Sequence, residues 1–310
     1  MSTSNDHERP ISLVTGGNTG IGFETCKGLL RAGFHVVVTA RSREKADEAV
    51  AALLEDGPAG GTAEALVLDL GALSSVREAA GEFLATGRPL NACVLNAGVM
   101  ALPWSKTGDG FEQQWQVNVL GHFLFCRLLL PALSKARDPA GRMVWVASGA
   151  HRIHPENVDY RSLAQEHESA DGYDQWRAYG RSKLANILLS NGLARRLKEI
   201  GSHVTSNALH PGNVNTALWS KAGRSNETGI SPEEGAKTAI FLATSSNVDG
   251  QSGGYYFQCK PVTTVYDDAL HKDANYVAKS AMRSEVSLSQ DEAKQMWSVA
   301  SEDVGLDTEL

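Results

Sequence analysis

Tyr179 and Lys183 stand four residues apart in Tyr179-Gly180-Arg181-Ser182-Lys183, so on a helix they share one face and their side chains converge. That convergence has a chemical use. A free phenol releases its proton only near a pH of about 10; an ammonium beside it stabilises the phenolate and makes the Tyr an acid and base closer to neutrality. The same spacing also arises by chance on amphipathic helices, so the surrounding residues have to decide. Ser148 closes the run Met143-Val144-Trp145-Val146-Ala147, at the kind of C-terminal strand edge where open α/β sheets bind ligands. Its hydroxyl can hydrogen-bond a substrate oxygen or cap the following turn. Asn118, in Val117-Asn118-Val119-Leu120-Gly121, falls inside a long apolar helix where an amide needs partners. A local kink holding a water fits it, and so does a relay.

A second constellation suits a dinucleotide. Thr15-Gly16-Gly17-Asn18-Thr19-Gly20-Ile21-Gly22 joins an apolar strand to a helix. Glycines there permit positive φ and let backbone N–H groups approach a pyrophosphate, which the helix N-terminus also attracts. An ordinary tight turn looks similar, and the spacing is not the commoner G-x-G-x-x-G. The next strand, HVVVTA, ends at Ala40 and Arg41 where a carboxylate would favour a free ribose 2′-hydroxyl. With Ser42, Arg43 and Lys45 following, the position suits a 2′-phosphate, hence NADP(H) in preference to NAD(H); a solvated basic first turn is the plain alternative. Asp69 can accept from an adenine amino group or cap the helix that begins near Ala72.

The elements that must hold these residues alternate in one series. Short aliphatic runs at Ile11–Thr15, His35–Ala40, Ala65–Asp69, Ala92–Asn96, Arg142–Ser148, His203–His210 and Gly254–Gln258 read as strands. Helical periods at Gly20–Ala32, Arg43–Leu54, Leu73–Thr86, Phe111–Leu133, Tyr173–Glu199 and Pro232–Thr244 lie between them. Such alternation predicts an α/β fold, a doubly wound, Rossmann-like parallel sheet of seven strands flanked by helices. We divide the chain into a polar tail at 1–10, a single catalytic domain at 11–258 carrying an insert at 149–174, and a C-terminal helical appendage at 259–310. In the appendage, Ser289 and Glu292 form a capping-box signature for a terminal helix bearing Trp297.

Composition narrows the partners. The 310 residues carry 42% hydrophobic side chains and a net charge of -7, enough core for one large domain and the wrong balance for nucleic acid. Cys26, Cys93, Cys126 and Cys259 are scattered without metal-site spacing, which suits a reducing cytoplasm. The polar N-terminus has no apolar core of a signal sequence, and the greasiest stretch, Leu120 to Leu133, is interrupted by His122, Arg127 and Pro131. We therefore expect neither secretion nor a membrane anchor.

In their order, the Thr-Gly-x-x-x-Gly-x-Gly turn at Thr15 to Gly22, Asp69, Asn96-Ala97-Gly98, Asn118, Ser148, Tyr179 with Lys183, and Pro211-Gly212 with Thr216 resemble the short-chain dehydrogenase/reductase family over Ile11 to Gln258. The phrasing of Val117–Phe123, Ala178–Leu189 and His210–Thr216 is similar to its retinol dehydrogenase and WW-domain oxidoreductase branch. The resemblance implies a carbonyl–alcohol oxidoreductase without a metal, with a catalytic tetrad of Asn118, Ser148, Tyr179 and Lys183. Tyr179 would exchange the proton, Ser148 polarise the carbonyl, Lys183 lower the Tyr pKa and hold the nicotinamide ribose, and Asn118 keep a relay water. It further implies cofactor contacts at Thr15, Gly16, Asn18, Thr19, Gly20, Ile21, Gly22, Asp69, Leu70, Asn96, Ala97, Gly98, Pro211, Gly212, Val214 and Thr216. Ala147 stands where many relatives have a first serine, and the interval from Ser148 to Tyr179 is long.

The insert and the loop after Thr216 offer Tyr160, Tyr173, Trp176, Leu218 and Trp219, suited either to a bulky apolar substrate or to packing the insert onto the body. His151, His154 and His167 read as surface loop residues rather than metal ligands. Two rivals stay open: a non-catalytic dinucleotide-sensing or scaffold protein on the same fold, and an interaction module built on the helix around Trp297. Monomer, homodimer and tetramer are not distinguished by the sequence.

Overall fold

The computed structural model describes residues 9–153, 172–271 and 273–310. From the N-terminus the elements run β1 (Ile11–Val14), α1 (Gly20–Arg31), β2 (His35–Ala40), α2 (Arg43–Glu55), β3 (Thr62–Val67), α3 (Leu73–Ala85), β4 (Ala92–Leu95), α4 (Gln113–Trp115), α5 (Gly121–Lys135) and β5 (Arg142–Val146). After the insert follow α6 (Gln175–Glu199), β6 (Thr205–His210), α7 (Ala217–Lys221), α8 (Pro232–Thr244), β7 (Tyr255–Phe257), β8 (Lys260–Pro261), α9 (Asp268–His271), α10 (Tyr276–Ser280) and α11 (Gln290–Asp303). The sheet order is β3-β2-β1-β4-β5-β6-β7-β8. Its first seven strands are parallel, and the winding reverses between β1 and β4, which opens a crevice at their C-terminal ends.

The strands are apolar on both sides because helices cover both faces. One face packs Leu13, Cys93, Leu95 and Trp145 against Phe123, Leu129, Leu184 and Leu188 of α5 and α6. The other packs Val14, Val38 and Val94 against Cys26, Leu29 and Leu30 of α1 and Ala239 and Leu242 of α8. Local chemistry sets the helix starts. Ser42, Asp174, Ser231 and Ser289 accept backbone N–H bonds at the beginnings of α2, α6, α8 and α11, and Pro232 opens α8.

Four details depart from the sequence reading. β3 starts three residues early, since polar Thr62 and Glu64 are satisfied across the edge by His35, whose Nδ1 is 2.9 Å from Thr62 Oγ1, and by Arg88. An eighth strand pairs antiparallel with β7; its two residues follow a tight turn at Gln258 and Cys259, both at positive φ, so the boundary drawn at 258 falls within a hairpin. The helix expected from Phe111 begins at Gln113, with Glu112 accepting from the N–H groups of Gln114 and Trp115, and passes through a π-helical turn, Gln116–Leu120, before α5. Finally, the apolar face of α11 is already docked: Trp297 is fully buried against Phe123 with ring centres 4.9 Å apart. That leaves the helix around Trp297 no exposed apolar stripe for the interaction-module reading. The run 113–135 is long and apolar enough to cross a membrane, and most of it is buried inside the body.

Candidate active site

A cavity of about 1150 Å³ opens along the C-terminal edge of the sheet. One end is the glycine-rich turn. Gly16 and Gly20 hold φ of 63° and 57°, where a side chain is strained, and a Cβ on Gly22 would lie 2.2 Å from the Gly16 carbonyl oxygen. The turn can only close with these glycines. α1 is entered through Thr19 without a side-chain cap and without an acidic residue in its first turn. Its leading N–H groups thus remain for an anion, and Asn18, Thr19, Gly20 and Ile21 line the cavity there. The cradle and donor set fit a dinucleotide pyrophosphate.

Along the same wall lie Arg41 and Lys45. Arg43 points away, its Nη1 donating to the Ala65 carbonyl at 2.9 Å, and Ser42 caps α2. Asp69 and Leu70 face the cavity. The capping alternative for Asp69 fails: α3 is entered through Ala72, and Asp109 accepts the Leu73 N–H at 2.9 Å. Asp69 instead turns its own loop, accepting from the Gly71 N–H at 2.9 Å. Asn96, Ala97 and Gly98 continue the wall beyond β4, and Pro211, Gly212, Val214 and Thr216 form it beyond β6.

At the far end Ser148, Tyr179 and Lys183 reach one space. The one-face spacing on α6 brings the Lys183 Nζ 5.7 Å from the Tyr179 ring centre, and Nζ donates to the Val146 carbonyl at 3.0 Å. Lys183 is 4% exposed, and burial pulls its pKa down to about 8. Gly98 makes room for it: a Cβ there would stand 3.5 Å from Nζ and 3.2 Å from Asn118 Oδ1. Ser148 caps the turn and also reaches the cavity. Its Oγ accepts from the Ala150 N–H at 3.2 Å as a turn cap, and the half-buried residue lines the cavity.

Thr15 and Asn118 stand behind the wall rather than on it, both fully buried. The Thr15 hydroxyl accepts the N–H groups of Asn96 and Ala97 at 2.8 and 2.9 Å, so it braces the turn instead of meeting a phosphate. The Asn118 amide is consumed by Val99, through Oδ1 and Nδ2 at 2.9 Å each, and by Ser182 Oγ at 2.9 Å. Its side chain orders the loop before Met100 and does not touch the cavity. The hydroxyl of Ser182 in turn donates to the Tyr179 carbonyl at 2.7 Å.

Of the aromatic candidates, Trp176, Leu218 and Trp219 line the cavity. Trp176 stacks at a tilt on Trp219 with ring centres 6.1 Å apart, and meets Tyr179 edge-on at 6.5 Å. Tyr173 serves packing instead: its OH donates to Glu112 at 2.8 Å and accepts from Gln114 at 2.7 Å. Tyr160, His154 and His167 lie outside the described residues. His151 is no surface residue; it is fully buried, with Nε2 accepting the Ser284 N–H at 3.1 Å and Nδ1 2.7 Å from the Ser148 carbonyl. Sequence reasoning missed Met100, Leu102, Arg152, Tyr266 and Lys279 on the same wall. Tyr266 and Lys279 come from the appendage, held there by Arg152, whose guanidinium donates to the carbonyls of Lys279 and Met282.

The profile of the short chain dehydrogenase family matches residues 10–160. The human WW domain-containing oxidoreductase is 40% identical over 267 residues, which is 82% of this chain; the chain spans 63% of that relative's length. Human retinol dehydrogenase 14 is 40% identical over 80% of this chain and 78% of its own. A solved structure of a protein from Mycobacterium paratuberculosis superposes with a TM-score of 0.72 at 28% identity, covering 98% of this chain and 96% of its own. With the cradle, the crevice at the strand reversal and the Tyr179–Lys183 pair in one cavity, these likenesses make the chain a member of the short-chain dehydrogenase/reductase family, in its retinol dehydrogenase branch.

Proposed function

We propose that the protein is an NADP(H)-dependent oxidoreductase that interconverts a carbonyl and an alcohol on a bulky, apolar substrate, with Tyr179 as acid and base. The observation that carries this reading is that Ser148, Tyr179 and Lys183 meet in the same cavity that an uncapped helix N-terminus enters from its other end. When bound, the dinucleotide supplies or accepts the hydride. The chain does the rest. Gly16 to Gly22 and the start of α1 hold the pyrophosphate, and Asn96 to Gly98 and Pro211 to Thr216 flank the two riboses. Arg41 and Lys45 favour the 2′-phosphate, and so the phosphorylated cofactor.

For a reduction, Ser148 Oγ donates to the substrate oxygen and holds it beside Tyr179, which releases its phenolic proton to that oxygen as the carbon is reduced. The Lys183 charge stabilises the phenolate left behind; oxidation runs these transfers in reverse. Met100, Leu102, Leu218, Trp176 and Trp219 give the substrate an apolar bed and exclude water. A retinol-sized alcohol or aldehyde, of the kind named for retinol dehydrogenase 14, matches that bed. The scattered cysteines, three of them fully buried, accord with a reducing cytoplasmic setting.

The test follows NADPH oxidation with a panel of hydrophobic aldehydes. Tyr179→Phe should bind NADPH normally, read from cofactor fluorescence, and lose turnover by about 100- to 10,000-fold. Near-normal turnover in the variant would sink the mechanism, and cofactor binding without turnover in the parent protein would favour the sensing role.

A further inference from the structure

Behind the cavity wall, five residues are joined in one hydrogen-bonded chain whose proton order can be read off the donors. A hydroxyl has two lone pairs and one proton. The lone pairs of Thr15 Oγ1 are filled by the N–H groups of Asn96 and Ala97, so its proton goes to the remaining partner, His122 Nε2, at 2.9 Å. Nε2 is then bare, and the imidazole proton sits on Nδ1, 3.1 Å from the Asn118 carbonyl oxygen. On Asn118, Oδ1 receives the Val99 N–H, which leaves Nδ2 to donate to Ser182 Oγ and the Ser182 proton to go to the Tyr179 carbonyl. Every polar contact in the chain has one direction, and reversing any link would face two donors or two acceptors.

His122 is the joint between its two halves. On one side is the glycine-rich turn, through Thr15; on the other is the π-helical turn that carries Asn118 and, through Ser182, the catalytic helix α6. The ring is fully buried, and burial holds its pKa far down, at about 3, with the nearby Lys183 charge acting in the same direction. A single neutral tautomer is therefore the resident form across the working pH range.

We propose that His122 is a positioning residue for the reaction: as its Nδ1–H tautomer it locks the Thr15 hydroxyl and the Asn118 carbonyl together, setting cofactor cradle and catalytic helix in one register. It touches neither substrate nor cofactor, since it lies off the cavity, and acts through Thr15 and Asn118. The proposal rests on the functional reading above for its kinetic consequence, but not for its tautomer.

Two measurements test it. Nitrogen-15 NMR of histidine-labelled protein should show His122 with Nδ1 protonated and Nε2 bare; an Nε2–H or doubly protonated ring overturns the proton order without any activity being needed. In parallel, turnover of NADPH with hydrophobic aldehydes is compared among the parent, His122→Phe, Thr15→Val and the double variant. Phe keeps the ring volume and removes both contacts. Each single change should lower kcat about 10- to 100-fold with aldehyde KM within about threefold, and the double should fall no further than the worse single, because both break the same joint. Loss of Tm with kcat unchanged, or losses that simply multiply in the double, would reduce His122 to a packing residue and overturn the proposal. If the parent binds NADPH and reduces none of the aldehydes, the functional reading fails with it, taking the kinetic half of the proposal while NMR still decides the proton order.

Discussion

Lys183 Nζ donates to the carbonyl oxygen of Val146 at 3.0 Å, which fixes the ammonium at the end of β5 while burial lowers its pKa to about 8. The sign of the pH effect follows. In the unfolded chain a lysine keeps its proton to a pH of about 10.4, so between about 8 and that value the unfolded state binds more protons and this residue makes stability rise with pH. On the proposed mechanism turnover moves the other way, because Lys183 loses over that range the charge that would stabilise the Tyr179 phenolate. We expect kcat/KM for NADPH, which reports ionisations of the free enzyme, to fall as pH rises through about 8, while the urea midpoint contribution of this residue increases. A Lys183→Met variant should lose both dependences; an unchanged high-pH limb in Lys183→Met would assign the titration elsewhere.

Arg41 is exposed on the cavity rim and forms no hydrogen bond or ion pair with another described residue, in contrast to Arg43, which is engaged with Ala65. Removing one charge-assisted hydrogen bond to a phosphate costs about 1.5–3 kcal/mol. Arg41→Ala should therefore weaken NADPH binding about 10- to 100-fold and leave NADH binding nearly unchanged. Titration of both cofactors by fluorescence checks this, and equal losses for the two would refute the 2′-phosphate assignment.

These two positions were legible in the sequence for a physical reason: Lys183 announces itself by a four-residue spacing on one helix, and Arg41 by its place just after an aliphatic strand. What the sequence left dark depends on partners far along the chain. The Thr15–His122 contact joins residues 107 apart, and no local pattern marks it. Asn118 inside an apolar helix pointed to a local kink, but the π-helical turn found there has the same apolar spacing as an ordinary helix, so the form of the irregularity could not be read. Tyr266 and Lys279 reach the cavity from a segment without periodicity, and β3 was displaced because Thr62 and Glu64 look like loop residues until His35 and Arg88 are seen beside them. Thr15 and Asn118 show the converse limit, since their motif positions are clear but their side chains brace the site from behind.

His122, His151 and His210 are buried in the neutral form, the first and last with pKa pulled down to about 3 by burial and His151 also well below its usual value. Each must gain a proton on unfolding once the pH drops below the ordinary histidine value of about 6.5. The unfolded state then binds more protons, and stability falls as the medium acidifies, by up to about 1.4 kcal/mol per pH unit for each ring. Urea denaturation between about pH 7 and about pH 5 should show His122→Phe and His210→Phe each flattening the acid slope by about one proton. A slope identical to the parent in both variants would mean that the rings are protonated in the native fold.

Trp297 fastens the C-terminal helix to the body through contacts of three kinds. Its ring meets Phe123 edge-on, the guanidinium groups of Arg196 and Arg127 lie over it at 4.2 and 5.1 Å from its centre, and its Nε1 donates to the Thr308 carbonyl at 2.7 Å. The same two arginines hold the chain beyond it, Arg196 Nε donating to Thr308 at 3.2 Å and Arg127 Nη1 to the Asp307 carbonyl at 3.1 Å. Emptying a site of this kind costs about 3–5 kcal/mol, a large share of a typical domain's stability of about 5–15 kcal/mol. Trp297→Ala should lower the urea midpoint accordingly and free α11 to limited proteolysis, whereas Trp297→Phe, which keeps the edge contact and loses the Thr308 bond, should lose less than half as much. Because Phe123 and Arg127 lie on α5 with His122, directly after the turn bearing Asn118, the Ala variant should also lower kcat under conditions where it remains folded. A stable Trp297→Ala protein with unaltered proteolysis would show that α11 is held by its other contacts and that the indole is dispensable.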